Sequence, residues 1–266
     1  MRKWIAMIVA VCLLTLYLPA AAWAAAKEDS DSWLNTGKLE QGVIGIIYKS
    51  PSAAKTKLMV SKDNVSYTYD LSAVGQEEFF SLQLHNGIYK ITVLQQVTGN
   101  KYRTVHSDTL DLQMKNEAAV YLNSVQNIKW NEADAVIEKA RELTRDKKTE
   151  REKAQAIYDY LIKTIVYDFD LAANVSTGYI PNLNQVLAAQ KGICYDYASL
   201  FAAMNRSVGI PTKLVMGSSD HVKEYHAWNE IYLDGAWVTV DTTVDAGTGS
   251  GTFAKNASEY KVTKVY

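Results

Sequence analysis

An α+β chain is the fold class this sequence predicts, with a strand-rich part first and a mixed helix–strand part after it. Three observations carry that expectation. From Gly42 to about Val125 apolar residues recur at every second position, whereas from Asn131 onward they recur every three or four. Near residues 224–243 the period of two returns, folded around an Asp-Gly pair. The 266 residues, 48% hydrophobic, suffice for one large domain or two small ones. A formal net charge of -1 gives no reason to expect nucleic acid or an anionic lipid surface as partner.

The N-terminus reads as a targeting segment. Arg2 and Lys3 supply positive charge, Trp4 to Leu18 a short apolar run, and Ala20 to Ala26 the small residues a signal peptidase needs. The run is short for a bilayer span, so cleavage after Ala24 or Ala26 is expected rather than anchoring. Residues 1–26 are therefore assigned as signal peptide, and a secreted or cell-surface location without stable membrane insertion follows. Cys12 leaves with that peptide, so the mature chain retains one thiol, Cys194, and no disulfide within itself. A lone cysteine in an exported chain is either a buried inert side chain or a reactive nucleophile.

Residues 27–127 read as a small antiparallel sandwich of six or seven strands. In "FFSLQLHNGIYKITVLQQV", Phe80, Leu82 and Leu84 alternate with polar residues, Asn86-Gly87 offers a tight turn, and Tyr89, Ile91 and Val93 alternate on the return. "VSYTYDLS" and "KYRTVHSDTLDLQM" are further strands. His85 and His106 fall here without an acid, base and nucleophile beside them, and are expected to be surface strand residues.

Residues 128–266 begin helical. "NEADAVIEKARELTRDKK" and "TEREKAQAIYDYLIKTIVYD" carry helical stripes, and Thr149 with Glu152 fits a capping box. "DLAANVSTGYIPNL" reads as a polar connection, and "NQVLAAQ" as a short helix ended by Gly192. "CYDYASLFAAMNRSVG" is the next helix, stopped by Gly209-Ile-Pro211, with Cys194 in its first turn. A helix N-terminus carries partial positive charge and unpaired N–H groups, which favour a thiolate and leave the Cys194 N–H free to hold an oxyanion. Gly192 is expected to let a substrate backbone come close.

"EYHAWNEIYLDGAWVTVDTT" supplies the base. If Asp234-Gly235 forms a two-residue loop, Leu233 faces Ala236 and Trp228 lies opposite Asp241. His226 then shares the face of Trp228 and is the diagonal neighbour of Asp241, roughly 7 Å away and within reach of a hydrogen bond. The carboxylate would fix the imidazole tautomer and leave the other ring nitrogen for Cys194. A three-residue loop would reverse the parity and separate the pair. His221 invites a metal reading, but neither its spacing nor a second cysteine supports zinc, and no acidic loop has calcium spacing, so no cofactor is expected. Tyr195, Tyr225 and Trp228 are candidates to line an acyl slot, core packing being the alternative. "DTTVDAGTGSGTF" (241–253) reads as a flexible rim.

"KGICYDYASLFAAMNRSVGIPTKLVMG" followed by "HAWNEIYLDGAWVTVDTT" closely resembles the transglutaminase-like superfamily, the papain-related enzymes with a Cys–His–Asp triad. The resemblance covers about residues 149–243, "IVYD" (165–168) included, and departs at Thr242, where the family usually has proline. It implies a papain-like core of helices packed on an antiparallel sheet, with Cys194 as nucleophile, His226 as base and Asp241 as orienting carboxylate. The implied activity is acyl transfer on protein or peptide amides through a thioester: crosslinking, deamidation or peptide hydrolysis, with a cell-wall or surface protein among the candidate substrates. A non-catalytic secreted or cell-surface binding module that keeps the fold is the alternative.

Overall fold

The computed structural model describes residues 32–248 and 250–266. The assigned signal peptide lies outside the described residues. Residues Trp33–Tyr266 form one compact unit.

The first seven strands are β1 (Leu34–Asn35), β2 (Val43–Lys49), β3 (Thr56–Lys62), β4 (Val65–Leu71), β5 (Val74–Ser81), β6 (Gly87–Thr98) and β7 (Lys101–Leu112). They form two antiparallel sheets, β1-β2-β5 and β4-β3-β6-β7. Period-two alternation buries Ile44, Ile46 and Phe80 from one sheet with Leu58, Val60, Tyr69, Tyr89 and Ile91 from the other. Tyr69 and Phe80 meet across the gap with ring centroids 4.9 Å apart.

The expected Phe80–Val93 hairpin does not form. β5 pairs with β2, and β6 with β3 and β7, so the chain changes sheets through residues 82–86. A sandwich needs such a corner, and its hydrogen bonds hold it. The Tyr89 hydroxyl donates to the carbonyls of Leu82 and His85, Asn86 exchanges two hydrogen bonds with the backbone of Met114, and His85 takes a left-handed φ of 63°. His85 pairs with Glu117, and His106 stacks on Trp33.

The second part runs α1 (Ala135–Thr144), α2 (Glu150–Thr164), β8 (Val166–Tyr167), α3 (Phe169–Asn174), α4 (Leu183–Ala189), β9 (Lys191–Gly192) and α5 (Cys194–Ser207). It continues with β10 (Thr212–Ser219), β11 (Val222–Leu233), β12 (Ala236–Val240), α6 (Thr242–Ala246) and β13 (Tyr260–Val265). The capping box starting α2 is formed in both directions between Thr149 and Glu152. α3 interrupts the connection expected to be irregular, because the Asp168 side chain caps it by accepting from the Leu171 N–H. Gln190, at φ 52°, makes the left-handed exit from α4 that was expected of Gly192.

α5 is buried almost all round and is the central helix, packed by α1 and α2 and by the antiparallel sheet β12-β11-β10-β13. One core runs through both parts of the chain. Arg206, buried in α5, donates to the carbonyls of Asn123, Thr212 and Tyr266 and so ties the segment before α1, β10 and the chain beyond β13 to one helix. Among the described residues no helix is long and apolar enough to cross a membrane.

Candidate active site

Cys194 is the first residue of α5, where backbone N–H groups lack a helical acceptor. What sets its position is the entry to the helix. Ile193 is extended, and its N–H donates to the carboxylate of Asp196 at 2.8 Å, the return half of a capping box. Asp196 is fully buried and also accepts from the Tyr179 hydroxyl at 2.7 Å. Burial raises its pKa, partly offset by those two donors. Gly192 is small for a reason other than the one expected. A Cβ there would stand 2.7 Å from the Asp196 Cβ, so the glycine admits the capping carboxylate.

The hairpin forms in the register derived from a two-residue loop. Leu233 faces Ala236, Asn229 faces Val240, and Asp234 and Gly235 take φ of 54° and 83°, as a tight right-twisted turn requires. His226 Nε2 lies 2.8 Å from Asp241 Oδ2, and both side chains are buried. Cys194 interacts with the same ring, and with Nε2 committed to Asp241 the nitrogen left to the thiol is Nδ1. Burial alone would lower the His226 pKa. Hydrogen bonds to Asp241 and then to Cys194, with the charges of both, outweigh burial and carry it up to about 9.

Asp241 is itself fixed from three sides. Its Oδ1 accepts the N–H groups of Thr243 and Val244 and thereby caps α6, while Oδ2 also accepts the Tyr260 hydroxyl at 3.1 Å. Thr242 occupies the first helical position, where a proline would fit and where no capping donor is needed, so the carboxylate is held without one. Of the segment expected to be a loose rim, the first part is α6 with a buried anchor, and residues 247, 248 and 250–252 are exposed and outside helix and strand. Asp245 accepts from the Tyr158 hydroxyl and pairs with Lys255 at 2.6 Å.

Of the aromatics expected at an acyl slot, only Tyr195 keeps a place beside Cys194 with partial exposure. Its hydroxyl accepts from Asn127 Nδ2 at 2.8 Å. Trp228 is 1% exposed and lies under the site, its ring parallel to His226 at 6.2 Å and against Tyr260 at 5.1 Å. Tyr225 follows strand alternation to the face opposite His226 and is exposed. His221 sits at the β10–β11 turn, paired with Glu259 at 2.9 Å.

Sequence reasoning missed Asp196, Tyr179 and Tyr260. Asp196 had a legible signal, an acid three residues after a helix N-cap. Tyr260 had none, because its contact with Asp241 depends on β13 pairing with β10 across the sheet.

The family model described as the transglutaminase-like superfamily matches residues 137–242. The human kyphoscoliosis peptidase is 30% identical over 168 residues, 58% of this chain and 24% of that protein, and the mouse protein is 32% identical over 130 residues. The chain thus spans about a quarter or less of the length of these curated relatives. Among solved structures, the periplasmic domain of TgpA from Pseudomonas aeruginosa is similar at 15% identity and a TM-score of 0.38, covering 76% of this chain and 72% of that one. Red sea bream transglutaminase is similar at 13% identity and a TM-score of 0.35, covering 79% of this chain and 49% of that one.

Proposed function

For a chain that carries a transglutaminase-like domain over residues 137–242, we propose the function of an exported, cysteine-dependent acyl-transfer enzyme. It acts on protein or peptide amides through a thioester at Cys194. The observation that carries this reading is the contact of one imidazole with both a helix-start thiol and a buried, fully oriented carboxylate. A binding module has no use for that arrangement.

With its pKa near 9, His226 keeps its proton through neutral pH, and the imidazolium favours the thiolate form of the nucleophile beside it. The thiolate attacks the amide carbon and forms the S–C bond, while the carbonyl electron pair moves onto oxygen. The Cys194 N–H, without a helical acceptor, donates to that oxyanion. When the intermediate collapses, the C–N bond breaks and the amine or ammonia leaves with the His226 proton. The imidazole, now neutral, takes a proton from the incoming water or amine that resolves the thioester. Water gives deamidation or hydrolysis and a lysine amine gives a crosslink. The triad serves all three.

Iodoacetamide labelling tests the nucleophile. Cys194 should alkylate quickly near neutral pH, and His226→Ala should slow it by ~10-fold or more. Equal, slow labelling of both proteins refutes the enzyme reading and leaves the binding module. A glutamine donor with a labelled amine then separates crosslinking, read as incorporation, from hydrolysis, read as ammonia or peptide release.

A further inference from the structure

We infer that Phe169 is a specificity-determining residue, its exposed ring receiving an apolar side chain of the acyl-donor chain next to the carbonyl that Cys194 attacks. The inference rests on the acyl-transfer reading above and names the kind of substrate that reading leaves open.

The backbone places this ring at the entry to the nucleophile's helix. Residues 168 to 179 form an arm whose two ends are fastened to the first turn of α5. At the near end β8 runs parallel to β9, with Tyr167 registered to Gly192, and the Asp168 N–H donates to the Gly192 carbonyl at 2.9 Å. At the far end the Tyr179 hydroxyl donates to Asp196, and its ring meets that of Tyr195 edge-on at 6.2 Å. Register also fixes which way the near end faces. Residues paired across neighbouring strands project to the same face. At Gly192 that face is the one on which Asp196 of α5 stands, its Cβ 2.7 Å from where a Gly192 Cβ would be. Tyr167 therefore lies on the side of the first turn of α5. The Phe169 ring meets it edge-on at 4.9 Å and carries the same aromatic wall from the helix entry out to solvent.

The arm is held by polar contacts and leaves its apolar groups uncovered. α3 has no buried residue. The Asp168 side chain caps it, and Lys191 pairs with Asp168 at 3.0 Å and with Asp170 at 3.7 Å. Phe169 is 76% exposed, the most exposed large hydrophobic side chain among the described residues. Of the eleven such exposed side chains, four fall between 166 and 180: Val166, Phe169, Val175 and Ile180. Single exposed apolar residues are ordinary, but here they are concentrated on the stretch that is bonded to the nucleophile's helix. The occupant follows from that place. An acyl donor must lay its chain across the entry of α5 for its carbonyl to reach the sulfur. The charges flanking Phe169 are paired among themselves, and its ring offers no hydrogen-bonding group, so what it can select is an apolar side chain.

The test uses two esters that differ in one side chain, N-acetyl-phenylalanyl-glycine p-nitrophenyl ester and N-acetyl-seryl-glycine p-nitrophenyl ester, with the full chain. Each acylates the thiol, forming the S–C bond and releasing p-nitrophenolate, which is read by absorbance. Wild type should prefer the phenylalanyl ester by about tenfold in the second-order acylation constant, the yield of burying part of a phenyl group. Phe169→Ser should reduce that preference to within about twofold of none, and Phe169→Leu should restore most of it. Val97→Ser, at an exposed apolar position in the sandwich, should keep the full preference. Iodoacetamide, which has no side chain to place, reports whether each variant is folded around the Cys194–His226 pair. An equal or reversed preference in wild type overturns the inference, and so does a preference that survives in Phe169→Ser. In both cases acylation itself is intact, so the inference alone fails. If wild type is acylated by neither ester, the acyl-transfer reading fails and takes the inference with it.

Discussion

Asp241→Asn is nearly isosteric and removes the negative charge facing His226 Nε2. In the native protein Oδ2 accepts from that nitrogen at 2.8 Å, which places the ring proton on Nε2 and charges the ring when Nδ1 is also protonated. The hydrogen bond to Asp241 is the largest contribution raising His226 from 6.5 to about 9 against the opposing effect of burial. Asparagine keeps an oxygen that can still cap α6 at Thr243 and Val244, and so turns its NH₂ toward the ring. A donor there asks Nε2 to accept, which moves the neutral ring's proton to Nδ1, against the thiol, in the wrong tautomer. Losing the charge and the hydrogen bond should return His226 by ~2 pKa units or more. The imidazolium at pH 6.5 is then lost, and with it the charge that favours a thiolate beside it; a free cysteine titrating near 8.5 is about 1% thiolate at that pH. Pseudo-first-order alkylation by iodoacetamide, followed from pH 5.5 to 9, should therefore be about 100-fold slower in the variant at pH 6.5, with the gap closing toward pH 9. Acyl transfer should fall by ~10²–10⁴-fold, the range for a mis-set catalytic tautomer. Superimposable alkylation profiles would refute the reasoning, since Asp241 would then orient nothing.

Further outcomes follow from the packing around the site. His226 is raised, so its contribution to stability is whole below pH 6.5 and is lost as pH climbs through about 9. Unfolding free energies of wild type and His226→Gln from urea titrations should differ by on the order of 3 kcal/mol at pH 6, and the difference should narrow markedly by pH 9. Arg206→Met strips the donor from three carbonyls, two of those hydrogen bonds being buried, and should cost about 3–5 kcal/mol, lowering Tm by roughly 10 °C in a thermal scan. Gly217→Ala puts a Cβ 2.0 Å from the Lys261 carbonyl oxygen and must part β10 from β13. It should destabilise by ~2–4 kcal/mol and, by withdrawing Tyr260 from Asp241, slow alkylation near neutral pH.

What the sequence made legible was whatever a short stretch decides by itself. The His226–Asp241 contact is a consequence of one hairpin: with Asp234 and Gly235 able to take positive φ, the two-residue loop sets the register and period two does the rest. The Thr149 capping box and the start of α5 at Cys194 are local in the same way. The failures share the opposite character. Asn86-Gly87 has the composition of a hairpin turn, but β5 found β2, and the corner is settled by Met114, far along the chain. Gly192 has the composition of a helix stop, but Asp196 needs its missing Cβ, so the left-handed residue moved to Gln190. The Asp241–Val244 stretch has the composition of a loop, but a carboxylate already needed by His226 had a second oxygen free to cap a helix. That double use ties the site to the fold. The carboxylate that faces the imidazole cannot swing without uncapping α6 and losing the hydroxyl of Tyr260 on β13, so the ring's tautomer is held by the same hydrogen bonds that join α6 and β13 to it.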